Sequence, residues 1–164
     1  MPRKKSNKNN KNNGIYFNKN DMYKNGMFKS VKNRQYMKYR SAYEYAFFEK
    51  LESDPNVIKY LAEAIHIPYV DIDLKKRTYI PDVLVLYKDG RMELCEVKPT
   101  IMLKDPNVQL KARAAVRKIK STGKNMSFRF ITENDLFKSN KEYLAILDKI
   151  KWVKIYGNML HLSI

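Results

Sequence analysis

"YIPDVLVLYKDGRMELCEVKPT", residues 79–100, holds two apolar runs separated by Lys88-Asp89-Gly90. Two such runs around a short glycine-containing break predict a β-hairpin. Each run nevertheless carries charge where a buried strand disfavours it. Asp82 follows Pro81 into the first run, and Glu96 and Lys98 flank Val97 at the end of the second. Strand side chains alternate faces, so Glu96 and Lys98 point one way and Val97 the other. The face of Asp82 depends on the turn. A two-residue Asp89-Gly90 turn pairs 88 with 91 and 82 with 97, which divides the acids between faces. A three-residue loop over Lys88–Gly90 pairs 87 with 91 and sets Asp82 opposite Glu96. It also sets Leu84 against Leu94 and Leu86 against Met92, and it places Gly90 in the left-handed conformation. The three-residue register is the one expected.

Two carboxylates held side by side repel, and burial raises the cost of ionising both. A divalent cation removes both problems. A donor set of hard oxygens without histidine or thiolate suits Mg²⁺ or Mn²⁺ rather than zinc. An ammonium two residues on, at Lys98, can hold an attacking water or offset charge on a pentavalent phosphate. Metal, ammonium and a basic surface together describe phosphodiester hydrolysis. The plainer reading, charges at a solvated sheet edge, fits poorly with the apolar flanks of both runs.

Outward from the hairpin, the 164 residues suit one domain with extensions. Seven Phe, twelve Tyr and one Trp supply core volume, and the formal net charge is +16. Residues 1–40 carry twelve Lys/Arg against Asp21 alone, so the charge is concentrated in the N-terminal quarter. That field suits a polyanion, with DNA the expected partner. A single cysteine, Cys95, excludes a disulfide framework, and two distant histidines, His66 and His161, exclude a usual zinc site. Both histidines read as structural and Cys95 as a small core residue. No stretch approaches the roughly 20 apolar residues of a membrane span, and the basic N-terminus lacks a signal-peptide core. No membrane association and a reducing, cytoplasmic setting are expected.

Residues 1–13 are low-complexity and polar, whereas residues 14–40 interleave Ile15, Tyr16, Phe17, Met22, Tyr23, Met27, Phe28, Tyr36, Met37 and Tyr39 with Lys and Asn. Residues 1–40 therefore read as a basic, aromatic-containing arm that docks on its own domain, a partner protein or DNA. Ser41 and Glu44 stand at capping-box spacing before a helix that ends ahead of Asp54-Pro55, with a second helical turn over 57–62. A strand is expected over 62–70, then the hairpin strands 79–86 and 91–98. Residues 106–121 predict a basic amphipathic helix ended by Gly123. "MSFRFIT" reads as a strand, residues 141–150 as a helix, and the segment after it as a closing hairpin around Gly157-Asn158. The fold class is α+β (mixed α/β), a central mixed sheet flanked by helices. Its parts are an arm over 1–40, a core over 41–137 and an extension over 138–164.

Pro81-Asp82 with Glu96-Val97-Lys98 resembles the signature of the PD-(D/E)XK nuclease superfamily. The likeness extends to TnsA-type transposon endonucleases and tailed-phage head-completion nucleases, through Tyr39-Arg40-Ser41, Glu44, Ile67-Pro68-Tyr69, Phe128-Arg129 and Thr132-Glu133 in that order. It covers about residues 39–137. It implies a restriction-endonuclease-like fold, with Asp82 and Glu96 as metal ligands, Lys98 acting on water or phosphate, and Glu44 adding an acid from the first helix. Glu44 has a structural alternative as the capping partner of Ser41.

DNA contacts are expected from Arg40 and from Lys111, Arg113, Arg117, Lys118 and Lys120, which spread around much of their helix, so that one face can grip backbone phosphate while the rest meet solvent only. Gln109 and Lys111 either touch DNA or contribute to the site. The expected activity is that of a metal-dependent DNA endonuclease. The rival is a structural virion protein of the portal or neck, homo-oligomeric and placed at the head–tail junction. A transposase role ranks below the phage one, because the 27 residues after 137 leave little room for a further DNA-binding domain.

Overall fold

The computed structural model describes residues 11–12, 15–16 and 24–161, with side chains for 24–154. Of the low-complexity segment 1–13 only Lys11 and Asn12 are described, and Phe17, Met22 and Tyr23 lie outside the described residues. Two short paired strands, β1 (Lys11–Asn12) and β2 (Ile15–Tyr16), precede a hairpin of β3 (Gly26–Ser30) and β4 (Gln35–Tyr39). Helix α1 (Ala42–Ser53) leads to strands β5 (Val57–Ala62), β6 (Ile67–Val70), β7 (Lys76–Tyr79), β8 (Val83–Tyr87) and β9 (Met92–Val97). After a single 3₁₀ turn over Thr100–Met102 come α2 (Pro106–Thr122), β10 (Met126–Ile131), α3 (Glu133–Leu136) and α4 (Asn140–His161).

The predicted hairpin is the middle of a four-stranded sheet in the order β10-β9-β8-β5. Pairing of β8 with β9 and of β5 with β8 is antiparallel, and pairing of β9 with β10 is parallel, so the sheet is mixed. A parallel neighbour needs a long crossover, and α2 supplies it. Val83 opposes Cys95, Leu84 opposes Leu94 and Leu86 opposes Met92. This is the register of the three-residue loop. The Tyr87 N–H donates to the Arg91 carbonyl at 3.0 Å, and Gly90 has φ 83°, a left-handed backbone that a side chain would disfavour.

Alternation along β9 sends its side chains to two cores. Cys95 and Val97 join Val83, Val85 and the buried faces of α1, α3 and α4, including Ala46, Phe47, Leu136 and Ile150. Leu94 joins Ala114, Ala115 and Ile119 of α2 and Ile67 and Tyr79 of the β6–β7 hairpin. Complete burial of one such leucine is worth about 2 kcal/mol. Helix α2 is capped by Asp105, whose carboxylate accepts from the Asn107 and Val108 N–H groups, and it ends at left-handed Gly123.

The β3–β4 hairpin packs on α1 through Phe28, Met37 and Tyr39, with Phe28 at 5.5 Å from Tyr45 and 5.7 Å from Phe48 between ring centroids. Glu52 of α1 holds the turn of this hairpin. It accepts from the Ser30 hydroxyl (2.8 Å), the Val31 N–H (2.7 Å), the Lys32 N–H (2.9 Å) and the Tyr60 hydroxyl (2.5 Å). Burial alone would raise the Glu52 pKa, but these four donors outweigh it and hold the carboxyl below its usual range. Beyond the turn, the Tyr60 N–H on outer strand β5 donates to Asn33 Oδ1 at 3.1 Å, and Lys32 Nζ reaches the Val57 carbonyl at 2.8 Å.

Local expectations are corrected at several places. Residues 57–62 form strand β5 rather than a helical turn, because pairing with β8 buries Val57 and Tyr60 and tertiary context overrides local propensity. The strand expected over 62–70 breaks at residues 63–66, where Glu63 has φ 53°, and His66 lies exposed outside it. Tyr79 closes β7, a partner of β6 that the sequence reading did not separate from the signature hairpin. The turn expected at Gly157-Asn158 lies inside α4. A mid-helix glycine costs about 1 kcal/mol, which a helix already nucleated over four turns absorbs.

Candidate active site

The carboxylates are gathered by three local devices. Ser41 caps α1 by accepting from the Glu44 N–H at 3.1 Å, which starts the helix and aims its first turn. Glu44 answers not to Ser41 but to the Arg40 N–H, which donates to its Oε2 at 2.8 Å. Pro81 and the register of β8 with β9 then bring Asp82 to the position opposite Glu96. There Asp82 Oδ2 accepts from the Val97 N–H at 2.7 Å. The chain after Lys98 is fixed by Glu133 of α3, which is 3% exposed, accepts from the Thr100 N–H at 2.9 Å and also takes the Thr100 hydroxyl. This is a physical role for the Thr132-Glu133 pair: Thr132 caps α3 and Glu133 anchors the loop behind the site.

Glu96 is buried and doubly held. Its Oε2 accepts from the Tyr79 hydroxyl at 2.8 Å, and its Oε1 lies 3.2 Å from Lys98 Nζ. Electrostatics link the four expected residues. Desolvation, then the charges of Glu96 and Glu44, push the Asp82 pKa well above its usual value, against the opposing Val97 N–H and Lys98. Desolvation also raises Glu44; Arg40 lowers it through its N–H and its charge, while Glu96 raises and Lys98 lowers it. Tyr79 is raised by burial and by Glu96, so its hydroxyl stays a donor. The site gathers Glu44, Asp82 and Glu96 around the Lys98 ammonium, with Lys38 and Arg40 at its rim.

Such a gathering of acids fits a divalent cation. The donors are hard carboxylate oxygens, and Asp82 is crowded by two further acids. Among the described residues, no group of three or more His, Cys, Asp or Glu side chains is placed to hold a metal ion, so the candidate ligands are the Asp82 and Glu96 pair. An open arrangement is what Mg²⁺-type chemistry uses, with one or two carboxylates and the remaining positions left to water and substrate phosphate.

Arg40 lies on the rim. It pairs with Glu63, and the two line a small cleft with Lys38, Glu44, Phe48, Ala62 and Asp82. Lys111 lies 5.8 Å from the centroid of the Tyr79 ring, so α2 approaches the site through it. Gln109 is occupied within its own turn, donating to the Leu103 carbonyl at 2.5 Å. The remaining basic residues of α2 do not share one face. At 100° per residue Arg113, Arg117 and Lys120 stand opposite buried Ala115 and Ile119, while Lys111 and Lys118 edge the buried face. Lys118 is about 10 Å further along the axis than Lys111. Sequence reasoning missed Tyr79 and Lys38. The signal for Tyr79 was its place two residues before Pro81, on the strand that enters the site.

The other acid of β9, Glu93, faces the opposite core. It accepts from the Tyr87 hydroxyl at 3.2 Å and pairs with Arg129 at 3.3 Å, and Arg129 also meets Asp135 at 3.7 Å. That cluster has internal partners of both signs and lies across the sheet from Asp82.

Comparison with known proteins matches residues 54–133 to the family model described as the TnsA-like endonuclease N-terminal domain. Asp82, Glu96 and Lys98 fall inside that span, and Glu44 precedes it. The chain is also 37% identical, over 62 residues, to the head completion nuclease of Enterobacteria phage T4. That alignment covers 37% of this chain and 41% of the phage protein, so the chain spans about two fifths of the length of that curated relative.

Proposed function

We propose, from the match of residues 54–133 to the TnsA-like endonuclease N-terminal family model, that the chain is a divalent-metal-dependent DNA endonuclease of the PD-(D/E)XK type and of the phage head-completion kind. The carrying observation is the convergence of Asp82, Glu96, Lys98 and Glu44 at one end of the β8–β9 hairpin. Asp82 and Glu96 would hold the ion, Mg²⁺ or Mn²⁺ by the hardness of the donors. Such an ion supplies Lewis-acid stabilisation of phosphoryl oxygens and a lowered water pKa.

Each protein group then has a task. Tyr79 fixes the orientation of Glu96 by donating to one oxygen and leaves the other toward Lys98. Lys98 places its side-chain nitrogen beside Glu96, where it would orient a water or offset the charge developing on the phosphate. Glu44, raised in pKa and tied to the Arg40 N–H, is suited to receive or relay a proton at a carboxylate oxygen. Arg40 and Lys111 border the acids and are the closest candidates for gripping the phosphates on either side. Arg113, Arg117, Lys118 and Lys120 extend the basic surface along α2, where they would add salt-dependent, sequence-independent affinity.

Nicking of supercoiled plasmid tests the reading, with wild type, Asp82→Ala and Lys98→Ala compared in Mg²⁺, Mn²⁺ and EDTA. Cleavage by the wild type alone, abolished by EDTA, is expected. Equal cleavage by all three proteins would sink the assigned site. The likeness to a head completion nuclease supports a place in the maturation of a phage head, with residues 1–40 as the segment that meets other virion proteins. Co-sedimentation with phage particles checks that part.

A further inference from the structure

The outer face of the β3–β4 hairpin has no part in either core. Register sets Lys29 opposite Tyr36 and Met27 opposite Lys38, so these four side chains share one face, while Phe28, Met37 and Tyr39 point inward to α1. All four are exposed, Tyr36 at 63% and Met27 at 53%. Residues 24–40 contain six Lys/Arg and no acid. An isolated exposed tyrosine is unremarkable, but this one sits between two lysines on a flat two-stranded surface. The surface leads to the acids, because Lys38 and Arg40 line the same cleft as Glu44 and Asp82. The hairpin is also rigidly referenced to the site, since Glu52 ties its turn to the helix that carries Glu44.

We propose that the outer face of the β3–β4 hairpin binds a single-stranded stretch of DNA next to the phosphate to be cut, with Tyr36 stacking on an unpaired base and Lys29 and Lys38 tracking the backbone. Aromatic side chains interleaved with cations on an open surface suit unpaired bases, whose faces are free to stack. A duplex hides those faces and is gripped by cations alone. The substrate class is therefore DNA with an unpaired segment, such as a flap, a gap or a frayed end. The inference rests on the reading of the chain as a DNA-acting protein and adds the structure of its substrate.

The test measures fluorescence anisotropy of the full chain in EDTA with two probes, a labelled oligo-dT of about six nucleotides and a blunt duplex. Tyr36→Ala is expected to weaken oligo-dT binding about tenfold, within the range for one stacked base. Tyr36→Phe should retain it, and duplex binding should not change. Lys29→Ala and Lys38→Ala should each lower the slope of log affinity against log salt by about 0.7. Oligo-dT affinity indifferent to Tyr36 would overturn the proposal and assign the face to a protein partner. Equal losses on both probes would also overturn it. Cleavage in Mg²⁺ of a labelled duplex carrying a single-stranded flap, run in parallel, separates the two readings. Tyr36-dependent oligo-dT binding without cleavage by the wild type upholds the hairpin surface and sinks the nuclease, while cleavage with Tyr36-independent binding does the reverse.

Discussion

Replacing Asp82 with asparagine should make the metal-free protein more stable at neutral pH while removing its activity. The substituted amide would keep an oxygen for the Val97 N–H, which now donates to Asp82 at 2.7 Å, and would remove the charge that desolvation, Glu96 and Glu44 all oppose. Because the folded-state pKa of Asp82 is raised, the folded protein binds more protons than the unfolded chain between the ordinary aspartate value and that raised value. Stability is therefore lost as pH rises through that window. Leaving a buried polar group uncompensated costs about 1–2 kcal/mol, so removal of the Asp82 charge should raise Tm at pH 8 by about 4 °C for a chain of this length. Thermal melts in EDTA at pH 8 and at pH 4 read it directly. The gain should shrink toward pH 4, where Asp82 is itself neutral. Added Mg²⁺ should raise the Tm of the wild type and leave that of the variant nearly unchanged. A variant less stable than wild type at pH 8, or a gain independent of pH, would refute the crowded-carboxylate account of the site.

Three further outcomes follow. Glu52→Ala removes the acceptor for four donors around the β3–β4 turn and should cost about 3 kcal/mol in urea unfolding. The Glu52 contribution should fade as pH falls from the usual glutamate range through its depressed folded value, as a set of melts from pH 7 to pH 3 can show. Tyr79→Phe deletes the hydroxyl donor to Glu96; nicking rate should fall about tenfold with DNA affinity intact, whereas an unchanged rate would make Tyr79 a packing residue only. Gly90→Val, at φ 83° with open space around the α-carbon, should destabilise by about 1–2 kcal/mol through backbone strain rather than clash, measurable as a lower urea midpoint.

The signature hairpin was legible because its two apolar runs are short, adjacent and joined by a loop with one glycine, so local chemistry alone set the register. Helices α1 and α2 were legible for the same reason, through Ser41 and Gly123 at their ends, while the Asp105 cap of α2 emerged only in the structure. Strand β5 was not, since its fate is decided by pairing with β8, some 25 residues later in the chain. The hydrogen bond from Tyr79 to Glu96 was equally hidden. It depends on the β6–β7 hairpin folding over the sheet, a contact between residues 17 apart that no spacing rule encodes. The spread of the basic residues around α2 was legible too, because the helical period separates Lys111 from Arg113 whatever the helix packs against.

The grip of the β3–β4 turn on strand β5 has a consequence for the life of the molecule outside the fold itself. An outer strand with free N–H and C=O groups is a template on which a second copy can add its own strand. Asn33 and Lys32 occupy such groups at Tyr60 and Val57. The segment that borders the acidic cleft is thus also the plug that blocks pairing of one sheet with another. Proteolytic loss of residues 24–40 should promote self-association through β5, detectable by light scattering, so that protection of the sheet edge and one border of the acidic cleft are carried by the same seventeen residues.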